Sequence, residues 1–399
     1  MNIKTLTSTE QNKILLYGDM ELRNYRSQTL IKYLQDSGYA VLRLDPRYKQ
    51  SKYKQQMKYL PKIKFMLAAA FCWIELLSKA AIADVIYMPP LNTLFIKSGI
   101  WIATFFNKKL IIEIHTLLYD THVRDRKKIK DGSREAQRMI EKDILALTKP
   151  DCIIYASDRE LNYWEKLLDI KVDRQKIFKS PLFNASPLVS TRSFMQDGGL
   201  KICWWGTFIP LHGLDDILKA LKILQKQELQ FTCNLFGIDN DFFGTYIEKI
   251  QLEQLETNVF LRKDLSFAND SLPKYLVDNC DLALGIFGNT DKAYHAIPNK
   301  LIEALSMRIP TLTMNSPALT EFFNPETDLW VCQPSPESIA ESILKIANGA
   351  AYPVDWEQTR QKVLNTFSMT QYQEVVSQVL ARVKNDCVPE NYARETLLS

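Results

Sequence analysis

Two segments in the C-terminal half place glycines and charged side chains at spacings that suit phosphate and ribose binding. The first is residues 204–214, WWGTFIPLHGL, in which Gly206 ends a predicted strand and Gly213 opens a predicted helix. A helix N-terminus at the carboxyl end of a parallel strand presents free backbone N–H groups, which favours phosphate. An ordinary strand-to-helix loop has the same spacing, so this segment alone leaves both interpretations open.

The second segment is residues 293–311, AYHAIPNKLIEALSMRIPT. Pro298 suits the entry to a helix, and Lys300 and Glu303 lie three residues apart on one helical face. Lys300 and the free N–H groups can hold a diphosphate, and the two oxygens of Glu303 can accept hydrogen bonds from both ribose hydroxyls. The alternative is a surface ion pair between Lys300 and Glu303, which contributes only about 0.2–0.5 kcal/mol.

These segments belong to a chain in which short predicted strands alternate with predicted helices. The pattern predicts strands at 13–17, 39–44, 84–88, 109–114, 151–155, 176–180, 200–205, 232–236, 259–261, 282–286 and 311–314. It predicts helices at 24–37, 65–80, 92–106, 131–147, from 158, and at 214–225, 243–254, 272–279, 299–306, 337–348 and 355–384. Such alternation is typical of βαβ units, and therefore of parallel sheets covered by helices on both faces.

The alternation is interrupted once, at residues 184–199, which are rich in Ser, Pro and Gly. We interpret this segment as an interdomain linker. The predicted fold class is α/β, with two Rossmann-like doubly wound domains that face a central cleft. The predicted domains are residues 1–190, which bind the acceptor, and 191–370, which bind the donor. Residues 371–399 are predicted to form a C-terminal helix and tail that pack back towards the N-terminal domain.

The two motifs, in this order and at this separation, resemble the donor domain of the family 4-like retaining glycosyltransferases with the GT-B fold (glycosyl transferases group 1). The resemblance implies that the C-terminal domain binds a nucleotide-diphosphate sugar, with a UDP-sugar the first choice, and that no cofactor is needed. It also implies that backbone near Leu261 and Arg262 contacts the base. The donor-binding residues predicted in this way are Gly206, Thr207, His212, Gly213, Leu261, Arg262, His295, Pro298, Asn299, Lys300, Leu301 and Glu303.

The chain departs from the family pattern at three of these positions. Many members have Arg after the first glycine and Lys before the second, where this chain has Thr207 and His212. Many also have Glu eight residues before the ribose Glu, where this chain has His295. Histidine is a weaker, pH-dependent cation with an ordinary pKa of about 6.5. We therefore expect Lys300 and Arg262 to supply the missing positive charge.

In the N-terminal half, polar residues follow two predicted strands at the rim that would face the cleft. His115 and Thr116 follow the strand at 109–114, and Gly18 and Asp19 follow the first strand. The resemblance implies that His115 lies near the sugar and the acceptor, which makes it the candidate catalytic residue. Gly18, Asp19 and Thr116 are candidates for acceptor or cleft contacts. A structural histidine at the cleft edge is an equally good interpretation of His115.

The charge of the chain is distributed unevenly. Residues 1–190 contain 32 Lys and Arg against 20 Asp and Glu, whereas the remainder contains 18 against 26. A basic run precedes the apolar helix at 65–80, which suits an interfacial helix on an anionic leaflet that delivers a lipid-linked acceptor. A solvated basic loop beside a core helix is the alternative. Nucleic acid is not expected as a partner, because no recognition motif is present.

Taken together, the residues and the resemblance predict transfer of a sugar from a nucleotide-diphosphate sugar to a glycan or lipid-linked hydroxyl. We expect a retaining reaction in bacterial cell-surface polysaccharide or glycolipid synthesis. No convincing acidic metal motif follows a strand, so no metal site is predicted. The chain shows no secretory signal and no apolar run of about 20 residues, so we expect it in the cytoplasm, with the inner membrane face as an option. The alternatives are an inert sugar-nucleotide-binding scaffold subunit and a sugar-nucleotide epimerase.

Overall fold

The computed structural model describes residues 12–18, 25–44, 62–183, 186–237 and 243–385. Asp19 and residues 45–61, which carry most of the basic run, lie outside the described residues. The strands are β1 Lys13–Tyr17, β2 Ala40–Leu44, β3 Val85–Met88, β4 Lys109–Ile114, β5 Cys152–Tyr155, β6 Ile177–Lys179, β7 Leu200–Gly206, β8 Phe231–Gly237, β9 Val259–Arg262, β10 Leu282–Leu284, β11 Thr311–Met314 and β12 Trp330–Cys332.

Helices follow most of these strands, as the alternation predicts. They are α1 Tyr25–Asp36, α2 Lys62–Ile82, α3 Ile96–Phe105, α4 Arg134–Thr148, α5 Asp158–Leu168, α6 Leu214–Lys226, α7 Phe243–Leu252, α8 Ser271–Asn279, α9 Asp291–His295, α10 Asn299–Ser306, α11 Pro317–Phe322, α12 Pro336–Ala347, α13 Trp356–Thr366 and α14 Met369–Asn385. Short 3-10 turns occupy Thr93–Phe95, Pro210–His212 and Phe267–Asn269, and a π-helical segment spans Asp120–Asp125. In the part of the chain described, none of the helices combines the length and apolarity needed to cross a membrane.

The strands form two six-stranded sheets, one in each half of the chain. The first has the order β2-β1-β3-β4-β5-β6 and the second the order β12-β11-β10-β7-β8-β9. Every described pairing is parallel. The strand order reverses between β1 and β3 in one sheet and between β7 and β10 in the other. Ligands of doubly wound sheets bind at such switch points, beyond the carboxyl ends of the strands.

Both faces of the first sheet are buried, because successive side chains of a strand point to opposite faces. Leu15 and Tyr17 pack in one core with the helices α2, α3 and α5. Ile14 and Leu16 pack in the other with α1 and with α14 from the far end of the chain. The C-terminal helix therefore lies against the N-terminal sheet, where Val376, Val379 and Val383 are among its buried residues.

Two predicted helices are divided in the structure. The helix predicted at 92–106 begins as a 3-10 turn and becomes regular at Ile96. The helix predicted at 355–384 ends at Thr366 and restarts at Met369. The break occurs because Phe367 leaves helical geometry and is buried against Phe323 with ring centroids 5.8 Å apart. The Ser368 hydroxyl then accepts a hydrogen bond from the Gln371 backbone N–H and starts α14.

Candidate active site

The first motif forms a tightly packed loop at the switch point between β7 and β10. Gly213 has a φ of 63°, and a Cβ there would lie 2.3 Å from the carbonyl carbon of Phe287. A Cβ on Gly288 would lie 2.4 Å from the carbonyl oxygen of Leu211. The loops after β7 and β10 therefore touch through their backbones, which only glycine permits. This contact places α6, and its free N–H groups, at the carboxyl edge of the sheet.

Lys300 of the second motif lies beneath this loop. Lys300 is 5% exposed, and its Nζ lies 3.8 Å from the centroid of the Trp204 ring. A Cβ built on Gly206 would lie 3.1 Å from that Nζ, so the ammonium group faces the first glycine of the motif. Among the described residues, the Nζ has no hydrogen-bond partner. Burial lowers the pKa of Lys300 well below its ordinary value, with Glu303 acting in the opposite direction. The site thus holds a buried amine, and an anionic ligand beside it would favour its protonated form.

His212 is buried beside Lys300, and its Nδ1 donates a hydrogen bond of 2.5 Å to the carbonyl oxygen of Thr207. Burial, together with the charges of Lys300 and Arg126, lowers its pKa well below the ordinary value. The expectation of a pH-dependent cation at this position was wrong, because the environment keeps the imidazole neutral. Its hydrogen bond instead holds the exposed Thr207 end of the loop in place.

Glu303 is half-buried on α10 and accepts a hydrogen bond of 2.6 Å from the Trp205 Nε1. That bond orients the carboxylate, and Trp205 was not among the predicted site residues. The neighbouring predicted donor residues have mixed environments. Pro298 is the N-cap of α10, Asn299 is exposed in its first turn, and Leu301 is 1% exposed in the core.

Leu261 and Arg262 end the strand β9, and both are half-buried. The Arg262 guanidinium donates to both carboxylate oxygens of Asp264, at 3.0 and 2.7 Å. It also lies 4.6 Å from the centroid of the Tyr275 ring. Its charge is therefore paired locally with Asp264, and its role towards a donor stays a prediction. The exposed Arg126 of the N-terminal domain is a further cation near this loop, because its charge acts on His212.

His115 lies just beyond β4 at the carboxyl edge of the first sheet. Its side chain is 16% exposed, and its Nε2 lies 3.7 Å from the Glu113 Oε2 without making a hydrogen bond. Burial and the nearby Arg26 charge lower its pKa to about 3, although Glu113 acts in the opposite direction. The imidazole is therefore neutral at physiological pH and presents an unpaired nitrogen.

Beneath His115, Glu113 is fully buried and completely engaged. It accepts a 2.6 Å hydrogen bond from the Arg26 Nε, a 2.7 Å bond from the Tyr372 hydroxyl and a further bond from the Tyr87 hydroxyl. Arg26 lowers the pKa of Glu113 below its ordinary value against the effect of burial. The network joins β3, β4, α1 and α14, and so fixes the strand that ends at His115.

The other predicted residues of the N-terminal rim have structural partners. Gly18, with a φ of 140°, lies against Asn92, and a Cβ there would come within 2.2 Å of the Asn92 side chain. The Thr116 hydroxyl lies 2.7 Å from that of Thr121. It also accepts a 2.7 Å hydrogen bond from the Nζ of Lys292, which belongs to the C-terminal domain.

Lys292 is one of several groups that join the two domains across the cleft. Arg124 and Asp291 form an ion pair between the same two segments. His295 stacks on Tyr163 of the N-terminal domain, with ring centroids 4.4 Å apart and planes 8° apart. The structure thus places His295 at the domain interface.

Among the described residues, buried side-chain nitrogen and oxygen atoms without a hydrogen-bond partner occur in four residues. They are the His115 Nε2, both carboxylate oxygens of Asp125, the Trp204 Nε1 and the Lys300 Nζ. Buried polar groups are nearly always paired in proteins, so these atoms, which lie after β4 in one domain and at the β7–β10 switch point in the other, indicate a candidate ligand site. Within the same part of the chain, no three His, Cys, Asp or Glu residues are grouped to hold a metal ion.

Comparisons with known proteins agree with this architecture. Residues 192–363 match the family model for glycosyl transferases group 1. No curated protein sequence matches the chain. Among solved structures, sucrose-phosphate synthase from Thermosynechococcus elongatus is 14% identical with a TM-score of 0.68, over 94% of this chain and 100% of that one.

Two further structures match over nearly the same length. Anabaena HepE in complex with UDP and glucose is 14% identical with a TM-score of 0.68, over 93% of this chain and 100% of its own. The lipopolysaccharide outer core galactosyltransferase WaaB is 13% identical with a TM-score of 0.59, over 93% of this chain and 99% of its own. The predicted fold class is confirmed, and the chain is a glycosyltransferase of GT-B architecture with a group 1 domain in residues 192–363.

Proposed function

We propose that the protein transfers a sugar, with retention and without a metal ion, from a UDP-sugar to a hydroxyl of a glycan or lipid-linked acceptor. The observation that carries the proposal is the buried, unpartnered Lys300 ammonium beside Gly206. An isolated buried cation is costly, and a diphosphate at the end of β7 would compensate its charge. The free N–H groups of α6 would add to this stabilisation, because a helix N-terminus favours negative charge.

The remaining parts of the donor fit around that diphosphate. Glu303, oriented by Trp205, would accept hydrogen bonds from the ribose hydroxyls. The neutral His115 would make a hydrogen bond with the transferred sugar across the cleft. Arg126, which approaches from the N-terminal domain, would contribute positive charge as the phosphate leaves. A UDP-sugar is proposed because the similar HepE has been solved with UDP and glucose and with UDP-glucose.

A thermal-shift panel with UDP, GDP, ADP, CMP and dTDP tests the donor site. A ligand at about 100 times its dissociation constant stabilises by about 2.7 kcal/mol, so a bound nucleotide gives a clear shift. We expect UDP to stabilise the wild type and not Glu303→Ala, while the exposed Glu256→Ala behaves as wild type. Equal stabilisation of Glu303→Ala would disprove the ribose assignment. No shift with any nucleotide would favour the inert scaffold.

Product analysis tests the reaction itself. Transfer to an acceptor should continue in EDTA, because the cationic side chains rather than a metal neutralise the diphosphate. A strict requirement for Mg²⁺ or Mn²⁺ would overturn that part of the proposal. Formation of a changed sugar nucleotide without any acceptor would identify an epimerase instead.

We infer a role in bacterial cell-surface polysaccharide or glycolipid synthesis, with contact between the N-terminal domain and an anionic membrane. The similar WaaB is a lipopolysaccharide galactosyltransferase. An apolar patch on α2 and α3 supports the contact: Phe71, Ile74, Trp101 and Phe105 are 69, 65, 49 and 65% exposed. The chain before this patch has no Asp or Glu from residue 46 to residue 74. Basic residues beside exposed aromatic side chains are typical of interfacial binding.

Vesicle sedimentation tests this contact. We expect binding to vesicles that contain phosphatidylglycerol, weaker binding to neutral phosphatidylcholine, and a marked loss in the double variant Trp101→Ser, Phe105→Ser. The exposed Leu252→Ser on α7 of the other domain is the matched control. Equal sedimentation with both kinds of vesicle would argue against an electrostatic contribution.

A further inference from the structure

A cavity of about 590 Å³ lies between the domains, beside the donor loop. Its N-terminal wall is formed by residues between Asp120 and Asp131, and its C-terminal wall by residues 289–292. Four carboxylates and four cationic groups line it, so its formal charge is balanced. They are Asp120, Asp125, Asp131, Asp291, Arg124, Lys127, Lys130 and Lys292. A balanced set of hydrogen-bonding groups suits a neutral, hydroxyl-rich ligand better than an anion.

Three of the four carboxylates already have partners. Asp120 accepts a 2.7 Å hydrogen bond from the Tyr163 hydroxyl. Asp131 accepts a 2.9 Å bond from the Tyr119 hydroxyl, and Asp291 pairs with Arg124.

The fourth carboxylate, Asp125, is different. It ends the π-helical segment and is 2% exposed, and neither of its oxygens has a hydrogen-bond partner in the part of the chain that the structure describes. Burial raises its pKa, and Lys292 acts in the opposite direction. The ammonium group of Lys292 is already engaged by the hydroxyls of Thr116 and Thr121. Asp125 is therefore a buried acceptor whose donors are not provided by the described residues.

The position of Asp125 relates this cavity to the donor loop. The backbone N–H of Leu211 is close enough to lower the pKa of Asp125, although it does not meet hydrogen-bond geometry. Leu211 precedes His212 in the loop that follows Gly206. A hydroxyl bound to Asp125 would consequently lie beside the proposed diphosphate site.

We propose that this cavity binds the acceptor as a neutral sugar, and that Asp125 accepts a hydrogen bond from one of its hydroxyls. The inference rests on the proposed function, because it treats the adjacent loop as the donor site. It assigns Asp125 a role in acceptor recognition, and the partnered carboxylates Asp120, Asp131 and Asp291 a role in shaping the cavity.

Saturation-transfer NMR with methyl glycosides of glucose, galactose and N-acetylglucosamine, in the presence of UDP, tests the proposal on the full chain. We expect at least one glycoside to bind the wild type at millimolar concentration. Asp125→Asn should bind it about tenfold more weakly, because the charged acceptor is replaced by a neutral amide. The control Asp278→Asn, at an exposed position of α8 outside the cavity, should change the affinity by less than about twofold.

Two further measurements separate recognition from structure. Asp125→Asn should unfold at the same temperature as the wild type or higher, because the buried carboxylate makes no native hydrogen bond. Calorimetric titration should show unchanged UDP affinity in this variant. Three outcomes would each overturn the proposal. The first is an unchanged glycoside affinity in Asp125→Asn, and the second is a lowered unfolding temperature of this variant with no specific loss of binding. The third is displacement of the glycosides by inorganic phosphate. Failure of UDP to bind the wild type would instead refute the donor assignment. Glycoside binding can still be measured in the absence of UDP.

Discussion

Glu113 and Lys300 are buried to nearly the same degree, one in each domain, and their surroundings are opposite. Glu113 is 0% exposed and is engaged by Arg26 and by two tyrosine hydroxyls. Lys300 is 5% exposed, rests on the Trp204 ring and makes no hydrogen bond through its Nζ. Both residues lie at the cleft, close to the carboxyl edge of a parallel sheet.

The difference shows how burial of a charge can serve two purposes. Removing a charge from water is costly in either case. At Glu113 the folded chain itself supplies the compensation, so the group contributes to the arrangement of β3, β4, α1 and α14. At Lys300 the described residues supply no hydrogen bond, and under the proposed function an anionic ligand would provide the compensation. Substitutions at the two sites should therefore separate stability from affinity.

The largest effect is expected for Arg26→Met, which leaves Glu113 buried without its cationic partner. Breaking one side of a buried pair costs about 3–5 kcal/mol, and urea unfolding should show a loss of that size. Lys97, which pairs with Glu141 where both side chains are half exposed, provides the control. Lys97→Met should cost no more than about 1 kcal/mol. Similar losses in the two variants would mean that the Glu113 network is not a stabilising element.

A smaller effect, on affinity, is expected for Lys300→Met. The charged hydrogen bonds to a diphosphate contribute about 1.5–3 kcal/mol, so UDP affinity should fall by about one to two orders of magnitude. The unfolding free energy should stay the same or rise, because a buried unpaired cation is removed. Calorimetric titration and urea unfolding measure the two quantities, with the exposed Lys274→Met as control. A loss of stability without a loss of affinity would reverse the comparison.

A third effect, on the pH dependence of stability, is expected at Glu160, a buried carboxylate on α5. Burial raises its pKa to about 8, Lys292 opposes this shift, and Asp120 and Glu321 add to it. The folded pKa lies above the unfolded value of about 4.3, so its destabilising effect is absent below pH 4 and complete above about pH 8.

The unfolding free energy should therefore fall as the pH rises from about 5 to about 8, by at most about 1.4 kcal/mol per pH unit from this group. Glu160→Gln should flatten that part of the profile, and the exposed Glu341→Gln should not. If the unfolding free energy of Glu160→Gln and of the wild type had the same slope against pH, the Glu160 carboxyl would titrate normally.

Much of the architecture was already determined by the sequence. Short apolar runs at 13–17, 109–114, 200–206 and 311–314 alternate with amphipathic stretches, and this local pattern is sufficient to predict parallel strands and their covering helices. Gly206 and Gly213 marked the loop that we propose for the donor, because both have a positive φ, which is a property of the local backbone. Lys300 and Glu303 share a helical face for the same local reason.

The tertiary structure decided which of these groups are available to a ligand. Arg262 is paired by Asp264, His295 is stacked on Tyr163, and Leu301 is buried in the core. The partner of Glu303 is 98 residues away, and that of Thr116 in the opposite domain is 176 residues away.

Sequence periodicity reports only contacts within a few residues, because it reflects the repeat of one helix or strand. Long-range contacts depend on how the two sheets and the cleft are assembled. Whether a polar group such as Asp125 or Lys300 finds a partner is therefore settled only when the chain is folded. The sequence determined which chemistry the chain carries and at which strand ends, and the packing of the two domains determined which of those groups remain unpaired for a substrate.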